Sequence, residues 1–380
     1  MKKAVIIAST ASMILQFNMN NIKLLQEDGY DVMVACNFRT GNSVDNKTVD
    51  NLKKQLKNIN VIFFEVPIPR NPFKIKNLII SYKILKALSQ KYYFEIMHCH
   101  SPIGAAISRL AFKNSRKKGT KIIYTAHGFH FYKGCPTKNW LLYYPIEYIL
   151  SAYTDVLITI NHEDYQRAKH FKAVKVEYIP GIGINLNNPD NSQIDRKLKR
   201  QELKIPLDAF LMLSVGELNK NKNHKVVIEA MSKIKNDKLH YIVCGQGKDL
   251  CKLKDLTEKL KISARVHLLE FRTDVNEIYP CADIYLFPSY REGLSVSLME
   301  AMSYGLPCIA SNIRGNTDLI DNNYGGFIVS PNKVDEFKFA IEKAMIQDIS
   351  LFGEYNKIKI QAYSAEKVSK IMKNIYCLKY

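Results

Sequence analysis

Four patterns that mark common kinds of site are missing from this sequence. Its eight cysteines include no C-x-x-C pair, which favours buried, reduced thiols in a cytosolic protein. The longest aromatic and apolar stretch, residues 140–160, contains Glu147 and Asp155, so no segment is predicted to span a membrane. No D-x-D triplet occurs, so the usual aspartate ligand for a nucleotide-bound divalent ion is absent. No G-x-G-x-x-G follows the first predicted strand, which argues against a nicotinamide-dependent dehydrogenase.

Acidic residues are also scarce, with 36 Asp and Glu against 55 Lys and Arg, a net charge of +19. Such a charge attracts polyanions such as anionic lipid, nucleic acid or a phosphorylated substrate. Residues 72–93 have the spacing of a basic amphipathic helix, which fits either a core-facing helix with a solvated lysine face or contact with an anionic membrane. No nucleic-acid-binding motif accompanies the charge, so no nucleic acid partner is predicted.

The order of predicted elements indicates two α/β domains. Strands and helices alternate along residues 1–180 and again along 207–350, which predicts doubly wound parallel sheets. Residues 180–206, rich in Gly, Asn, Asp and Pro and then in charge, are predicted to link them. The predicted strands are Ala4–Ala8, Val32–Cys36, Val61–Val66, Ile96–His98, Ile122–Thr125, Val156–Ile160 and Val176–Ile179, then Leu211–Val215, Tyr241–Cys244, Val266–Leu269, Ile284–Phe287, Cys308–Ala310 and Gly326–Val329.

The segment 283–315 has the most specific pattern in the chain. A buried strand, 284–287, stops at Pro288, and a helix is predicted from near Ser295 to Tyr304. A parallel strand followed by a helix N-terminus is where open α/β sheets bind anionic groups. A nucleotide sugar lying along this helix would place its ribose near Glu300 and its sugar near Glu292. The alternative is a capping box of Ser297 with Glu300, with Glu292 an ordinary acid of the first turn.

This segment resembles the E-x7-E signature of retaining family 4 glycosyltransferases, and Glu292 and Glu300 match its two glutamates. The resemblance implies the GT-B fold, in which two Rossmann-like domains face a cleft. It also implies a nucleotide-sugar site, with Glu292 as a catalytic residue beside the donor sugar and Glu300 on the ribose hydroxyls. The phosphate would lie against the backbone of four consecutive residues, Gly293, Leu294, Ser295 and Val296.

Two further stretches extend the implied donor site. The family usually reads G-R-x4-K-G where this chain has Gly216 and Lys222, with Glu217 in place of the arginine and Asn223 in place of the second glycine. Gly216 allows close approach of a ligand, and Lys222 is expected to contact phosphate. Losing the arginine puts one diphosphate contact in doubt. Phe271 and Arg272 follow a strand where the family often holds the base, largely through backbone atoms.

The first domain, residues 1–182, is expected to bind the acceptor. His127 follows a strand and resembles the family's conserved histidine, which implies a role in contacting donor sugar or acceptor. Three polar residues of the first strand–helix connection, Ser9, Thr10 and Asn18, are predicted to meet acceptor hydroxyls. His98 and His100 share one strand face, but the sequence shows no third metal ligand, so they are interpreted as polar strand-end residues.

These observations predict a retaining hexosyl- or N-acetylhexosaminyltransferase. It would move a sugar from a nucleotide diphosphate, UDP above all, to a lipid-linked glycan in bacterial surface polysaccharide assembly, without a metal cofactor. The donor domain would span residues 198–363, and a C-terminal helix, about 364–380, would pack back on the first domain. The location would be cytoplasmic, peripheral at the inner face of the plasma membrane. The alternatives are a non-catalytic basic module for anionic lipid or nucleic acid, and a GT-B nucleotide-sugar epimerase.

Overall fold

A computed structural model describes residues 2–186 and 195–378 of the chain. The chain divides into two compact units, Met1–Ile182 with Glu366–Tyr380, and Gly183–Ala365. Residues 187–194 of the predicted linker lie outside the described residues.

The first unit is built on a parallel sheet in the order β3-β2-β1-β4-β5-β6-β7. Its central strands are buried except at Lys121, as strands covered by helices on both faces require, and most of their residues are apolar. The strand order reverses direction between β1 and β4, and this is the switch point where open α/β sheets bind ligands. The strands are β1 Lys2–Thr10, β2 Tyr30–Asn37, β3 Ile62–Glu65, β4 Ile96–His100, β5 Lys121–Ala126, β6 Val156–Thr159 and β7 Lys175–Tyr178.

The helices of this unit connect successive strands. The pattern of residues 16–27 predicts one continuous helix, and this prediction is wrong, because the chain breaks at Asn18 into two helices. The Asn18 amide nitrogen donates to the Met13 carbonyl at 3.1 Å, and such a local bond competes with continuing the helix. The helices are α1 Ala11–Phe17, α2 Met19–Glu27, α3 Asn46–Asn58, α4 Ile75–Lys91, α5 Pro102–Arg116, α6 Thr137–Ser151 and α7 His162–Ala168.

The second unit repeats the design with a sheet ordered β10-β9-β8-β11-β12-β13 and a switch point between β8 and β11. Two apolar clusters, one around Leu213 and Met299 and one around Val227 and Phe337, form its core. Its strands are β8 Phe210–Val215, β9 Leu239–Cys244, β10 Val266–Glu270, β11 Ile284–Phe287, β12 Cys308–Ser311 and β13 Gly326–Val329. Its helices are α8 Arg196–Glu202, α9 His224–Ser232, α10 Leu250–Lys259, α11 Val275–Ile278, α12 Val296–Ser303, α13 Asn316–Leu319, α14 Val334–Ile346 and α15 Ser350–Ile360.

The last helix, α16 (Ala365–Cys377), supplies buried residues to the first unit. The Tyr376 hydroxyl lies 2.8 Å from Nδ1 of His98 on β4, and Lys121 Nζ donates to the Tyr376 carbonyl at 3.0 Å. Each of the predicted strands overlaps an observed one, and the predicted pair of doubly wound parallel sheets is confirmed.

Candidate active site

The predicted donor residues of the second unit gather at its switch point. Gly216 and Lys222 lie on the loop after β8, and Glu292 lies on the loop after β11. The two loops are joined by hydrogen bonds, because the Tyr290 amide donates to the Asn221 carbonyl at 2.8 Å and the Asn221 side chain donates to the Arg291 carbonyl at 2.9 Å. The sheet topology therefore brings together residues that are about 70 positions apart.

Lys222 and Glu292 form an ion pair at this point, with Nζ 2.8 Å from Oε1. The Lys222 ammonium also lies 4.8 Å from the centre of the Phe287 ring. The two side chains are 20% and 15% exposed, so the pair is partly withdrawn from water but reachable. The Lys222 side chain passes directly over Gly216, since a Cβ placed on Gly216 would lie 3.4 Å from Cε of Lys222. A cation held in this way can meet an anionic group of a ligand.

Helix α12 begins beside this pair. Ser295 is its N-cap, and its hydroxyl accepts from the Leu298 amide at 3.3 Å. The first-turn amides of a helix have no partner within the helix, and they favour an anion at this end. The predicted alternatives are wrong: Ser297 is not the N-cap, and α12 has no acidic residue in its first turn, so Glu292 is not a first-turn acid.

Glu300 lies on the second turn of α12 and is held by a tyrosine that sequence reasoning missed. The hydroxyl of buried Tyr279 donates to Oε2 of Glu300 at 3.0 Å. Burial raises the pKa of the Glu300 carboxyl above its ordinary value, and the bond from Tyr279 partly offsets this. Tyr279 bonds only one of the two carboxylate oxygens. The other, Oε1, can accept hydrogen bonds from the hydroxyl groups of a ligand.

Arg314 and Gly315 support the loop that carries Glu292, and no sequence signal pointed to them. Arg314 Nε donates to the Glu292 carbonyl at 3.2 Å. Gly315 has φ +78°, and a Cβ there would lie 2.1 Å from the Gly293 carbonyl oxygen. Two backbones thus pass each other too closely for any side chain, which fixes the loop of Glu292 in place.

Asn223 explains how the chain tolerates losing the family's second glycine. Its φ is +56°, a left-handed conformation that asparagine adopts more readily than most residues. Its side-chain nitrogen donates to the carbonyls of Pro288 at 3.1 Å and Pro331 at 2.9 Å. The asparagine therefore adopts the left-handed conformation that a glycine could adopt in the Lys222 loop. It also bonds this loop to Pro288, at the end of the strand that precedes Glu292.

Phe271 and Arg272 follow β10, and their side chains lie in different surroundings. Phe271 is 67% exposed. Arg272 is held by carboxylates, with Nε 2.7 Å from Asp274 and Nη2 2.9 Å from Glu202. Contact between these two residues and the nucleotide base stays a prediction. Because the Arg272 side chain is held by carboxylates, Arg272 would make this contact through its backbone atoms.

In the first unit, three histidines cluster at the ends of β4 and β5. His98 is bonded at both nitrogens, at 2.8 Å to Tyr376 and 2.8 Å to Thr125. His100 Nδ1 lies 3.1 Å from His127 Nε2. Burial lowers the pKa of His98 to about 3 and that of His127 to about 4, and it holds the pKa of His100 well below its ordinary value. All three rings are therefore neutral near pH 7.

The hydrogen bonds of this cluster assign its protons. Within the described residues, Nε2 of His100 is buried without a partner. A buried N–H without an acceptor is rarer than a lone pair without a donor, so we place the His100 proton on Nδ1, where it donates to His127. His127 then carries its own proton on Nδ1 and offers a hydrogen-bond donor instead of a base. The sequence showed no third histidine near His98 and His100, but the sheet supplies His127.

Neither these histidines nor other groups form a metal site in the part of the chain described: no three His, Cys, Asp or Glu side chains are placed to hold an ion. No helix within residues 2–186 and 195–378 has the length and apolar content needed to cross a bilayer.

The predicted acceptor residues end β1 and begin the helices after it. Ser9 Oγ lies 2.5 Å from Oγ of Ser101, a residue that sequence reasoning missed and that has φ +65°. Such a conformation is uncommon outside glycine and concentrates at functional sites. Thr10 Oγ1 is buried and has no partner among the residues described. Asn18 is fully buried, with its oxygen accepting from Asn21 at 3.0 Å, so its acceptor contact stays a prediction that would require this bond to open.

We expect the first unit to lose stability in mild acid because of the histidine cluster. An unfolded histidine gains a proton near pH 6.5, whereas folded His127 does so only near pH 4. The stabilisation is therefore complete above pH 6.5 and falls as the pH drops towards 4, by about 1.4 kcal/mol per pH unit for each such group. Melting curves from pH 7.5 to 4.5 measure the effect.

His127→Gln should flatten this pH dependence, whereas His170→Gln, which changes an exposed histidine of the same unit, should not. An equal slope for His127→Gln and the unchanged protein would contradict the assignment.

Comparisons with known proteins match both units of the chain. Residues 195–365 match the family described as Glycosyl transferases group 1, and residues 5–161 match the family described as Glycosyl transferase 4-like. EpsD of Bacillus subtilis, which is named as a glycosyltransferase, is 38% identical over 333 residues, 86% of this chain and 83% of EpsD. The chain belongs to the family 4 glycosyltransferases. As a member of this family it is a glycosyltransferase, which disagrees with both the epimerase and the non-catalytic basic module that the sequence left open.

Two further relatives of this glycosyltransferase are informative. The UDP-Gal:alpha-D-GlcNAc-diphosphoundecaprenol alpha-1,3-galactosyltransferase of Escherichia coli is 30% identical over 273 residues, 69% of this chain and 68% of that protein. The crystal structure of Anabaena HepE in complex with UDP and glucose has a TM-score of 0.75 at 16% identity and covers 100% of both chains. That structural likeness shows the fold alone, and it confirms the predicted GT-B fold.

Proposed function

We propose that this glycosyltransferase moves a hexosyl or N-acetylhexosaminyl group from a UDP-sugar to a hydroxyl of a lipid-linked glycan, with retention of configuration, in the assembly of a bacterial surface polysaccharide. The observation that carries the proposal is the Lys222–Glu292 pair beside the first turn of α12. Two of the proteins compared above support the proposed substrates. HepE has a structure with bound UDP, and the name of the Escherichia coli galactosyltransferase contains a UDP-sugar donor and a diphosphoundecaprenol-linked acceptor.

In this proposal the bond between the anomeric carbon and the diphosphate oxygen breaks. The acceptor hydroxyl oxygen forms a bond to the same face of that carbon, and the hydroxyl proton passes to the departing diphosphate. Negative charge develops on the departing diphosphate, and the Lys222 ammonium and the backbone of residues 293–296 stabilise it. Glu292 shapes and polarises the site of the donor sugar, with no covalent nucleophile assigned. Glu300 accepts hydrogen bonds from the ribose hydroxyls. Lys222 and the amides make a metal ion unnecessary, so we propose a metal-independent enzyme.

The first unit takes the acceptor. Ser9 and Thr10 lie at its switch point, where a hydroxylated ligand would find their side chains, and His127 offers a neutral N–H donor to a sugar hydroxyl. The basic charge of the chain supports a position at an anionic membrane surface, and we propose the inner face of the bacterial plasma membrane. No nucleic acid partner is proposed.

Thermal unfolding with UDP, GDP, ADP, CMP and NAD, each with and without EDTA, tests the donor site. A ligand that binds only the folded state raises the melting temperature, by an amount equivalent to about 2.7 kcal/mol at a hundred times its Kd. We expect UDP alone to do so, and EDTA to leave the shift unchanged. A shift that EDTA abolishes would contradict the metal-independent site, and no shift with any nucleotide would contradict the proposed donor.

A further inference from the structure

Two helices of the first unit expose apolar side chains where a water-facing helix would carry polar ones. After its first turn, the exposed positions of α6 are all apolar, and Leu141 and Ile149 are 76% and 58% exposed. On and just before α4, Phe73 is 81% exposed, and three isoleucines share the outward face with lysines. Contiguous apolar patches are rare on proteins without a partner and mark interaction sites. Helix α4 does face the core, through Leu85 and Leu88, and its lysines are solvated, but its exposed face is apolar as well as basic.

A groove of about 420 Å³ lies between α4, α5 and α6. This volume lies within the range of about 300–1,000 Å³ found for small-molecule sites. Branched aliphatic side chains from all three helices line it, including Leu78, Ile79, Ile103, Ile107, Leu110 and Ile146.

The one carboxylate at this groove is already satisfied by the protein. Glu147 is buried, with one oxygen 2.7 Å from Arg109 and the other 2.9 Å from the Tyr124 hydroxyl. Arg109 and Tyr124 also hold one another, with the guanidinium 4.4 Å from the centre of the ring. The groove therefore offers apolar contact and presents no unpaired carboxylate. A hydrocarbon ligand requires both, because it cannot compensate a buried charge.

The positive charge around the groove favours a hydrocarbon chain that carries an anionic group. Residues 66–151, which contain α4, α5 and α6, carry 14 lysines and arginines and two acidic residues, Glu95 and the buried Glu147. About a fifth of the chain therefore carries most of its net charge of +19. Exposed lysines flank the apolar side chains of α4, namely Lys74, Lys76, Lys83 and Lys86. An apolar chain that carries a phosphate or diphosphate complements both features, whereas a protein partner would need an apolar surface crowded with carboxylates.

We propose that this groove holds part of the polyisoprenyl chain of the acceptor, while the surrounding lysines meet its diphosphate and the anionic lipids around it. The proposal rests on the lipid-linked acceptor of the proposed function. A bilayer alone would need only a flat apolar face, and the concave shape between α4, α5 and α6 is what favours a single chain.

Vesicle flotation with the full chain tests the groove. Phosphatidylcholine vesicles would carry either undecaprenyl phosphate or phosphatidylglycerol at matched charge, so that charge and isoprenoid chain are separated. Both the isoprenoid chain and the acyl chains of phosphatidylglycerol start in hydrocarbon, so a preference arises only if the groove fits the isoprenoid chain better, and a difference of about 1.4 kcal/mol is tenfold in affinity. We therefore expect at least about tenfold tighter binding to the undecaprenyl phosphate vesicles. Equal binding to the two kinds of vesicle would overturn the proposal and identify the face as a general bilayer contact.

Two variants locate the effect. Ile79→Ser removes an apolar wall of the groove and Ala106→Phe fills it, and both should abolish the preference for undecaprenyl phosphate. Ile346→Ser, at an 87% exposed isoleucine of the second unit, is the matched control and should keep the preference. Groove variants that fold, as judged by melting, and still prefer undecaprenyl phosphate would overturn the proposal.

Stabilisation by UDP in the same preparations separates this inference from the proposed function. Groove variants that are stabilised by UDP like the unchanged protein, but that have lost the isoprenoid preference, support both. An unchanged protein that prefers undecaprenyl phosphate but ignores UDP would support the groove and contradict the donor site. The reverse pattern would contradict the groove alone.

Discussion

Replacing Lys222 with alanine should lower turnover about 10²–10³-fold with the fold intact, which is the usual cost of removing one group that stabilises developing negative charge. Lys222 provides the cation 2.8 Å from Glu292, and the chain has Glu217 where the family has an arginine. The remaining positive charge at the diphosphate therefore rests on one side chain. The loss should appear mainly in kcat, because the charge that Lys222 meets grows as the sugar leaves the diphosphate.

Lys220→Ala is the matched control, since it removes an exposed lysine from the same loop. It should change turnover by less than about threefold, as most surface substitutions have small effects. Equal losses for the two variants would mean that turnover depends on the net charge of the loop and that Lys222 has no specific role. A Lys222→Ala enzyme with unchanged kcat would remove the lysine from the proposed mechanism.

Replacing Glu300 with alanine should weaken UDP binding about 10–100-fold. Hydrogen bonds to a charged group contribute about 1.5–3 kcal/mol, and the Glu300 carboxylate is proposed to accept two from the ribose. Titration calorimetry with UDP and with 2′,3′-dideoxy-UDP measures this directly. The unchanged protein should prefer UDP, and Glu300→Ala should bind both nucleotides equally.

Glu258→Ala, at an exposed glutamate on α10, should leave the preference for UDP unchanged. A Glu300→Ala protein that still prefers UDP over the dideoxy compound would show that the ribose hydroxyls lie elsewhere. Because burial raises the pKa of Glu300, the ionised form that accepts hydrogen bonds is lost at a higher pH than for an ordinary glutamate. The preference for UDP should therefore fade earlier as the pH is lowered.

The sequence predicted the parts of the molecule that depend on local pattern. Apolar runs bounded by Gly, Pro and polar residues located the strands, and the strand–helix–strand pattern of residues 284–310 located α12. It did not predict the break at Asn18, because the helical pattern continues through it and only a side-chain bond to Met13 interrupts it.

The supporting contacts of the site could not be predicted, because they join residues that are distant in sequence. Tyr279 meets Glu300 across 21 positions, and His100 meets His127 across 27. No periodicity encodes such pairs, which follow from the order of strands in the sheet. Asn223 is an intermediate case: the sequence shows that it stands where the family has a glycine, and only the structure shows that its φ is +56°, a conformation that glycine favours.

Helix α16 has a consequence for how the chain comes to be folded during its synthesis. Every residue of the second unit, Gly183–Ala365, is made and leaves the ribosome before the residues from 366 onward do. The first unit, although its sheet begins at Lys2, obtains the hydroxyl that holds His98 only with Tyr376. The part of the enzyme that is made first is thus the part that is completed last, and the middle of the chain can reach its final packing while the beginning still waits for the end.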